Sequence, residues 1–270
     1  DADKILLVQK RENKTLDEYI YQYKYAKKYV DRREAIDYAI AHKQQPAATT
    51  FLKNALQDPF YELRDRILLN LRGADLDAAS LRTVEDIARH DEKRTVRASA
   101  IDLLATTNNP DYANLYLAGV NDSSYSVAGA SLSALALTKP AKAITLLDNL
   151  KNDAKGRLKS AVQEVDLLSK TDDDFNEINQ TFDKLSLLEK ASQYKAYINF
   201  LGNVYNNENF EKGVDKVISL RNELSLYNPS FKEEINELLK NLKSKKQAVR
   251  NSTNATAIDE QIAYIENKIK

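Results

Sequence analysis

Apolar residues recur at helical spacing along almost the whole chain and strand-like alternation is scarce, so the pattern predicts an all-α protein. Thr15-Leu16-Asp17-Glu18 reads as a capping box with Thr15 as N-cap, followed by Leu16, Ile20, Tyr23 and Val30 at helical offsets. This predicts a helix over 16–29, although Tyr19, Tyr21, Tyr23 and Tyr25 alternate as in a strand. A second box, Asp31-Arg32-Arg33-Glu34, predicts a helix over 32–42 carrying Ala35, Ile36 and Ala39. Upstream, Lys4-Ile5-Leu6-Leu7-Val8-Gln9 is short and fits a strand belonging to something that precedes it.

An internal repeat dominates the chain from about residue 47 to residue 170. An Asp is followed five positions later by an apolar residue, often a basic one next, then further apolar positions. The copies start at Asp58, Asp91, Asp122 and Asp153, which are 33, 31 and 31 residues apart. Helical stretches at 47–57, 81–90, 110–120 and 140–151 precede them. Asp in each turn fits an N-cap for the second helix, with Pro59 in its first turn. One helix pair cannot bury its apolar stripe alone, so the pairs must stack. The predicted class is a right-handed α-solenoid of HEAT/ARM-like helical hairpin repeats. Arg64 and Arg97 occupy a slot that the third and fourth copies fill with Ala128 and Lys159.

Beyond Asp172 the period fades, and helices are predicted at 174–187, 189–205, 209–226, 229–243 and 256–269. Gly202-Asn203 and Asn228-Pro229 separate elements, and Asn251 to Asn254 form a turn. Ile258, Ile262, Ile265 and Ile269 share one stripe, predicting a packed C-terminal helix. The expected organisation is a lead-in segment at 1–15 and one helical-repeat domain at 16–270. Its clearest repeats span 47–170, and irregular helical pairs fill 174–270.

Composition narrows the chemistry. The chain has 270 residues, 40 basic and 40 acidic side chains, and 43% hydrophobic residues, enough for a core and too balanced for a general nucleic-acid footprint. No Cys is present, which removes disulfides, thiolate metal sites and cysteine catalysis. Six Gly and five Pro are too few for a large all-β domain, and no phosphate-loop signature exists. No apolar run is long enough to span a bilayer. The opening Asp1-Ala2-Asp3-Lys4 is neither an initiator Met nor a signal peptide, so a mature product or excised piece is expected.

Candidate groups each have a plain structural reading. His42 and His90, the only imidazoles, fall at predicted helix ends, where they complement the carbonyl dipole. Asp172-Asp173-Asp174 reads as acidic charge feeding a helix N-terminus rather than a cation site. Lys240, Lys243, Lys245, Lys246 and Arg250 read as a wetted face, sharing their helix with Glu233, Glu234 and Glu237. The five Tyr between 19 and 29 fit packing better than base stacking. Asn-x-Ser/Thr sequons at Asn13, Asn121, Asn179, Asn251 and Asn254 are expected by chance in an Asn-rich chain. No catalytic, cofactor-binding or metal-ligating residue is assigned.

The segment Asp1-Ala2-Asp3-Lys4-Ile5-Leu6-Leu7, then Asn13-Lys14-Thr15-Leu16, the Tyr-rich helix and Asp31-Arg32-Arg33-Glu34-Ala35-Ile36, resembles aminopeptidase N-like zinc metallopeptidases. In that family a similar segment leaves a small β domain and enters a C-terminal domain of HEAT-like repeats. The His-Glu-x-x-His and Gly-x-Met-Glu-Asn motifs are missing here, so zinc is expected only in a parent's catalytic domain. The resemblance implies a non-catalytic C-terminal domain that encloses the catalytic chamber and gates peptide access. Its implied partners are the parent's catalytic and β domains and peptide substrates at the chamber wall, with no nucleic acid and no membrane. The competing expectation is a free-standing α-solenoid scaffold for protein–protein interaction.

Overall fold

The structure is a computed structural model that describes residues 13–269, and these form sixteen α-helices joined by short turns, with no strand among them. The strand-like Lys4–Gln9 and most of the lead-in segment lie outside the described residues. The fold is all-α and built from HEAT/ARM-like helical hairpins. Contacts divide it into two compact units, one up to Ala143 with Asp148–Ala161, the other Ile144–Leu147 with Val162 onward.

The first unit is a run of pairs: α1 (Leu16–Tyr25) with α2 (Tyr29–Ala41), α3 (Pro46–Asn54) with α4 (Tyr61–Asn70), α5 (Ala78–His90) with α6 (Arg94–Ala105), and α7 (Ala113–Gly119) with α8 (Tyr125–Thr138). The short α9 (Pro140–Thr145) and α10 (Leu147–Leu150) come next, then α11 (Gly156–Leu167), within which the division between units falls. The Thr15 box forms as predicted: Glu18 N donates to Thr15 Oγ1 at 3.3 Å and Thr15 N to Glu18 Oε2 at 2.8 Å.

The second predicted box does not form. α1 stops at Tyr25 because Ala26 and Lys28 are extended, and α2 begins at Tyr29, which puts Asp31 inside its first turn. Glu34 instead turns to α1, accepting from Lys14 Nζ at 3.0 Å and Gln22 Nε2 at 2.7 Å. Lys14 also donates to Gln22 Oε1 at 2.7 Å, and its side chain is only 2% exposed. Burial works against the charge of Glu34, but these hydrogen bonds outweigh it and hold its carboxyl below the usual range.

α6 is the most enclosed helix of this unit, with Val96, Ala100, Ile101, Leu103 and Leu104 buried where it packs on α4, α5 and α8. Burial of Val96, Ile101, Leu103 and Leu104 contributes roughly 1.5–3 kcal/mol each.

The second unit holds α12 (Phe175–Asp183), α13 (Leu187–Leu201), α14 (Asn207–Ser225), α15 (Ser230–Ala248) and α16 (Ala255–Lys268). Its core gathers Phe175, Phe200, Phe210, Val214, Leu239 and Ile265. α12 ends earlier than predicted because Ser186 and Glu189 form a capping box that opens α13. Of the predicted Ile stripe on α16, Ile258 and Ile265 are fully buried. No helix among the described residues is long and apolar enough to cross a membrane.

Candidate functional site

The repeat's Asp residues do not cap the second helices directly. α4, α6 and α8 have Phe60, Lys93 and Ser124 as their N-caps, two residues further on, and Pro59 precedes the helix. Each Asp instead accepts from the amide of that N-cap residue: Phe60 N to Asp58 at 2.8 Å, Lys93 N to Asp91 at 2.9 Å, Ser124 N to Asp122 at 2.7 Å. This is an Asx-type turn, and it leaves the carboxylate free to face the preceding repeat.

An arginine from that repeat meets it. Arg32 Nε lies 2.9 Å from Asp58, Arg64 Nε 2.7 Å from Asp91, and Arg97 Nη2 3.1 Å from Asp122. Arg64 and Arg97 also donate to the carbonyls of Asp58 and Asp91 at 2.7 and 2.9 Å. Arg32 therefore belongs to an earlier copy that the Asp search passed over, because Ala26 stands in its Asp slot. The ladder ends where Ala128 replaces arginine. Asp153 makes no ion pair among the described residues, α11 begins three residues later at Gly156, and Arg157 pairs with Asp102 at 2.5 Å.

With the aspartates neutralised, the side chains at the start of each second helix give the edge its character. The first helical residues are Tyr29, Tyr61, Arg94 and Tyr125, preceded by Lys28, Phe60, Lys93 and Ser124. Tyr29 and Tyr125 are 42% and 43% exposed. The rings run on from one repeat to the next: Tyr29 lies 4.7 Å from Phe60, Phe60 lies 5.3 Å from Tyr61, and Lys93 Nζ sits 5.3 Å over the Tyr61 ring. Lys27, Lys28, Lys93 and Arg94 have no carboxylate partner among the described residues, whereas Glu62 accepts from the Tyr61 hydroxyl at 3.1 Å. An open depression of about 490 Å³ lies between Tyr61, Lys93, Arg94, Arg97 and Ser124, with Glu92 on its wall.

The remaining candidates fall elsewhere. His42 is the C-cap of α2, with Nδ1 2.8 Å from the Tyr38 carbonyl and its ring stacked on Tyr38. His90 pairs with Asp86 at 2.8 Å. Asp172 accepts from the amides of Tyr205 and Asn206 at 2.7 and 3.1 Å, fixing the turn before α14. Tyr19 stacks on Tyr38 and Tyr23 meets Phe51 edge-on, so part of the Tyr cluster is packing.

The basic run on α15 is only partly a wetted face. Lys243 and Arg250 pair with Glu266 and Asp259, but Lys246 is fully buried. Its Nζ donates to the Val204 carbonyl at 2.5 Å and lies 4.6 and 4.9 Å from the Tyr205 and Phe210 rings. Burial lowers its pKa to about 8 against the opposing pull of Asp172. Gln261 clamps the same turn through Tyr205 O and Asn207 Oδ1, both at 3.0 Å. Helical spacing signalled that Lys246 shares a face with Leu239 and Leu242, but charge alone made it look solvated.

No family model and no curated protein matches the chain. Among solved structures, human deoxyhypusine hydroxylase in complex with glycerol matches at 13% identity and a TM-score of 0.39, covering 99% of this chain and 97% of that one. These findings correct the aminopeptidase N-like resemblance, which neither a family model nor a curated protein supports. The expectations built on it fall too, namely a C-terminal domain enclosing a catalytic chamber, gating of peptide access, and a chain without catalysis of its own. The physical reason is that apolar residues at helical spacing are demanded by any stacked helix pair, while the first twelve residues of the more distinctive opening lie outside the described residues. The hydroxylase's chemistry is not carried over to this chain.

Proposed function

We propose that the first unit is a protein-interaction module that takes an extended, acidic segment of a partner polypeptide across the first turns of α2, α4, α6 and α8. One observation carries this reading: the same edge position repeats an aromatic ring or guanidinium, at Tyr29, Tyr61, Arg94 and Tyr125, beside cations that lack carboxylate partners among the described residues. Stacked helices sit about 8–10 Å apart, and a segment extended as polyproline II advances about 3.1 Å per residue with three residues per turn, which returns every third side chain to the same face. Every third residue of a bound segment would therefore meet a new repeat.

The test is fluorescence anisotropy with peptides carrying Glu at every third position, against a scrambled peptide of equal charge. The spaced peptide is expected to bind more tightly, with affinity falling as salt rises. Charge reversal at Lys28, Lys93 and Arg94 is expected to weaken it by about tenfold or more, a loss of about 1.4 kcal/mol or more. Equal binding of the scrambled peptide, or no loss on charge reversal, would overturn the reading.

A further inference from the structure

The second unit has a cleft of about 250 Å³ where the end of α11 meets α12 and α13. Its floor is apolar and rigid. Phe182 and Tyr197 are 4% and 1% exposed and stack at 4.4 Å, flanked by Leu167 and Ile178. The Tyr197 hydroxyl donates to Asn179 Oδ1 at 2.8 Å, which fixes the ring in its plane.

The rim has the opposite character. Asp174 and Glu177 face it together with Lys170, and Asp166 stands beside them. Lys170 Nζ stands 3.7 Å from both Asp166 and Asp174, shared between them and beyond good hydrogen-bond distance of either. Glu177 is exposed and has no ion pair among the described residues. With Lys170 the cation beside Asp174 and Glu177, these two carboxylates leave the rim negative above an aromatic floor.

Size and charge together select an occupant. Clefts that enclose whole small molecules usually run from about 300 to 1,000 Å³, so this one suits a single long side chain. A lysine or arginine matches both surfaces, its aliphatic stem lying on apolar rings while the charged head stays among carboxylates. We propose that this cleft receives a lysine or arginine side chain of a partner polypeptide. The site is independent of the acidic-segment reading, since it lies in the other unit and selects the opposite charge.

The experiment is a nuclear magnetic resonance titration of the full chain with a short capped peptide of Gly and Ser around one arginine. The matched control replaces arginine by citrulline, which keeps the shape and removes the charge. Saturable shifts at the Ile178 methyls and the Phe182 ring are expected with arginine and not with citrulline. Glu177→Gln is expected to weaken binding several-fold, and Lys170→Ala to tighten it by releasing Asp174. Equal response to citrulline, no saturable shift, or weaker binding in Lys170→Ala with helicity intact would overturn the proposal. Tighter saturation by free hexylamine than by either peptide would assign the cleft to a small amine and overturn it as well.

Discussion

Arg64 holds two repeats at once: its Nε and Nη2 donate to the Asp91 carboxylate at 2.7 and 3.0 Å, and its Nη1 donates to the Asp58 carbonyl at 2.7 Å. The Asp91 side chain is 5% exposed, so its charge depends on this fork rather than on water.

Replacing Arg64 by Ala leaves that carboxylate with only the Lys93 amide. The expected loss is about 3 kcal/mol, the lower end for breaking a buried pair. Arg64→Lys should recover less than half, because an ammonium cannot supply the bidentate fork. Urea denaturation followed by circular dichroism measures both, and equal stability of Arg64→Ala and the parent would refute the ladder's role.

Lys246 predicts an unusual pH dependence. Its folded pKa of about 8 lies below the ordinary 10.5. Below pH 8 both states carry the charge and the cost of burying it is fully present. Above that, the folded chain sheds its proton first, so stability should climb from pH 8 towards 10, by at most about 3 kcal/mol. Beyond pH 10 the trend should reverse, since burial raises the phenols of Tyr194 and Tyr197 above their usual range. Lys246→Met should abolish the climb while costing little or stabilising. Denaturant midpoints across this range, parent against variant, provide the check.

Gly129 sits within α8, where Ala would ordinarily stabilise by about 1 kcal/mol. Here a Cβ would lie 2.7–2.8 Å from the backbone and side chain of Arg157. Gly129→Ala is expected to destabilise by about 1–3 kcal/mol instead. Gly213→Ala should cost less, because the obstructing group is the end of the Leu201 side chain. Thermal denaturation of the pair decides whether backbone contact sets the order.

Tyr116 Oη and Ser131 Oγ are buried without hydrogen-bond partners among the described residues. Tyr116→Phe and Ser131→Ala each remove a desolvated hydroxyl, and each is expected to leave stability unchanged or raise it by about 1 kcal/mol. A loss of more than that amount in either variant would show a partner hidden from the static structure.

Periodicity and local chemistry made part of this protein readable from its residues in order. The Thr15 box, the ends of α2 and α5 at His42 and His90, and the Asp58, Asp91 and Asp122 turns depend on residues a few positions apart, so they are legible in one dimension. Which distant groups share a charge was decided in three dimensions. Packing sent Glu34 to Lys14 instead of its own N-cap, gave Asp58 the arginine of an earlier copy, and drew Lys246 from a supposedly wetted face into the core. It also aligned Tyr29, Tyr61, Arg94 and Tyr125 along one edge. The physical reason is that desolvation and Coulomb attraction depend on separation in space, and only the stacking of helix pairs fixes those separations.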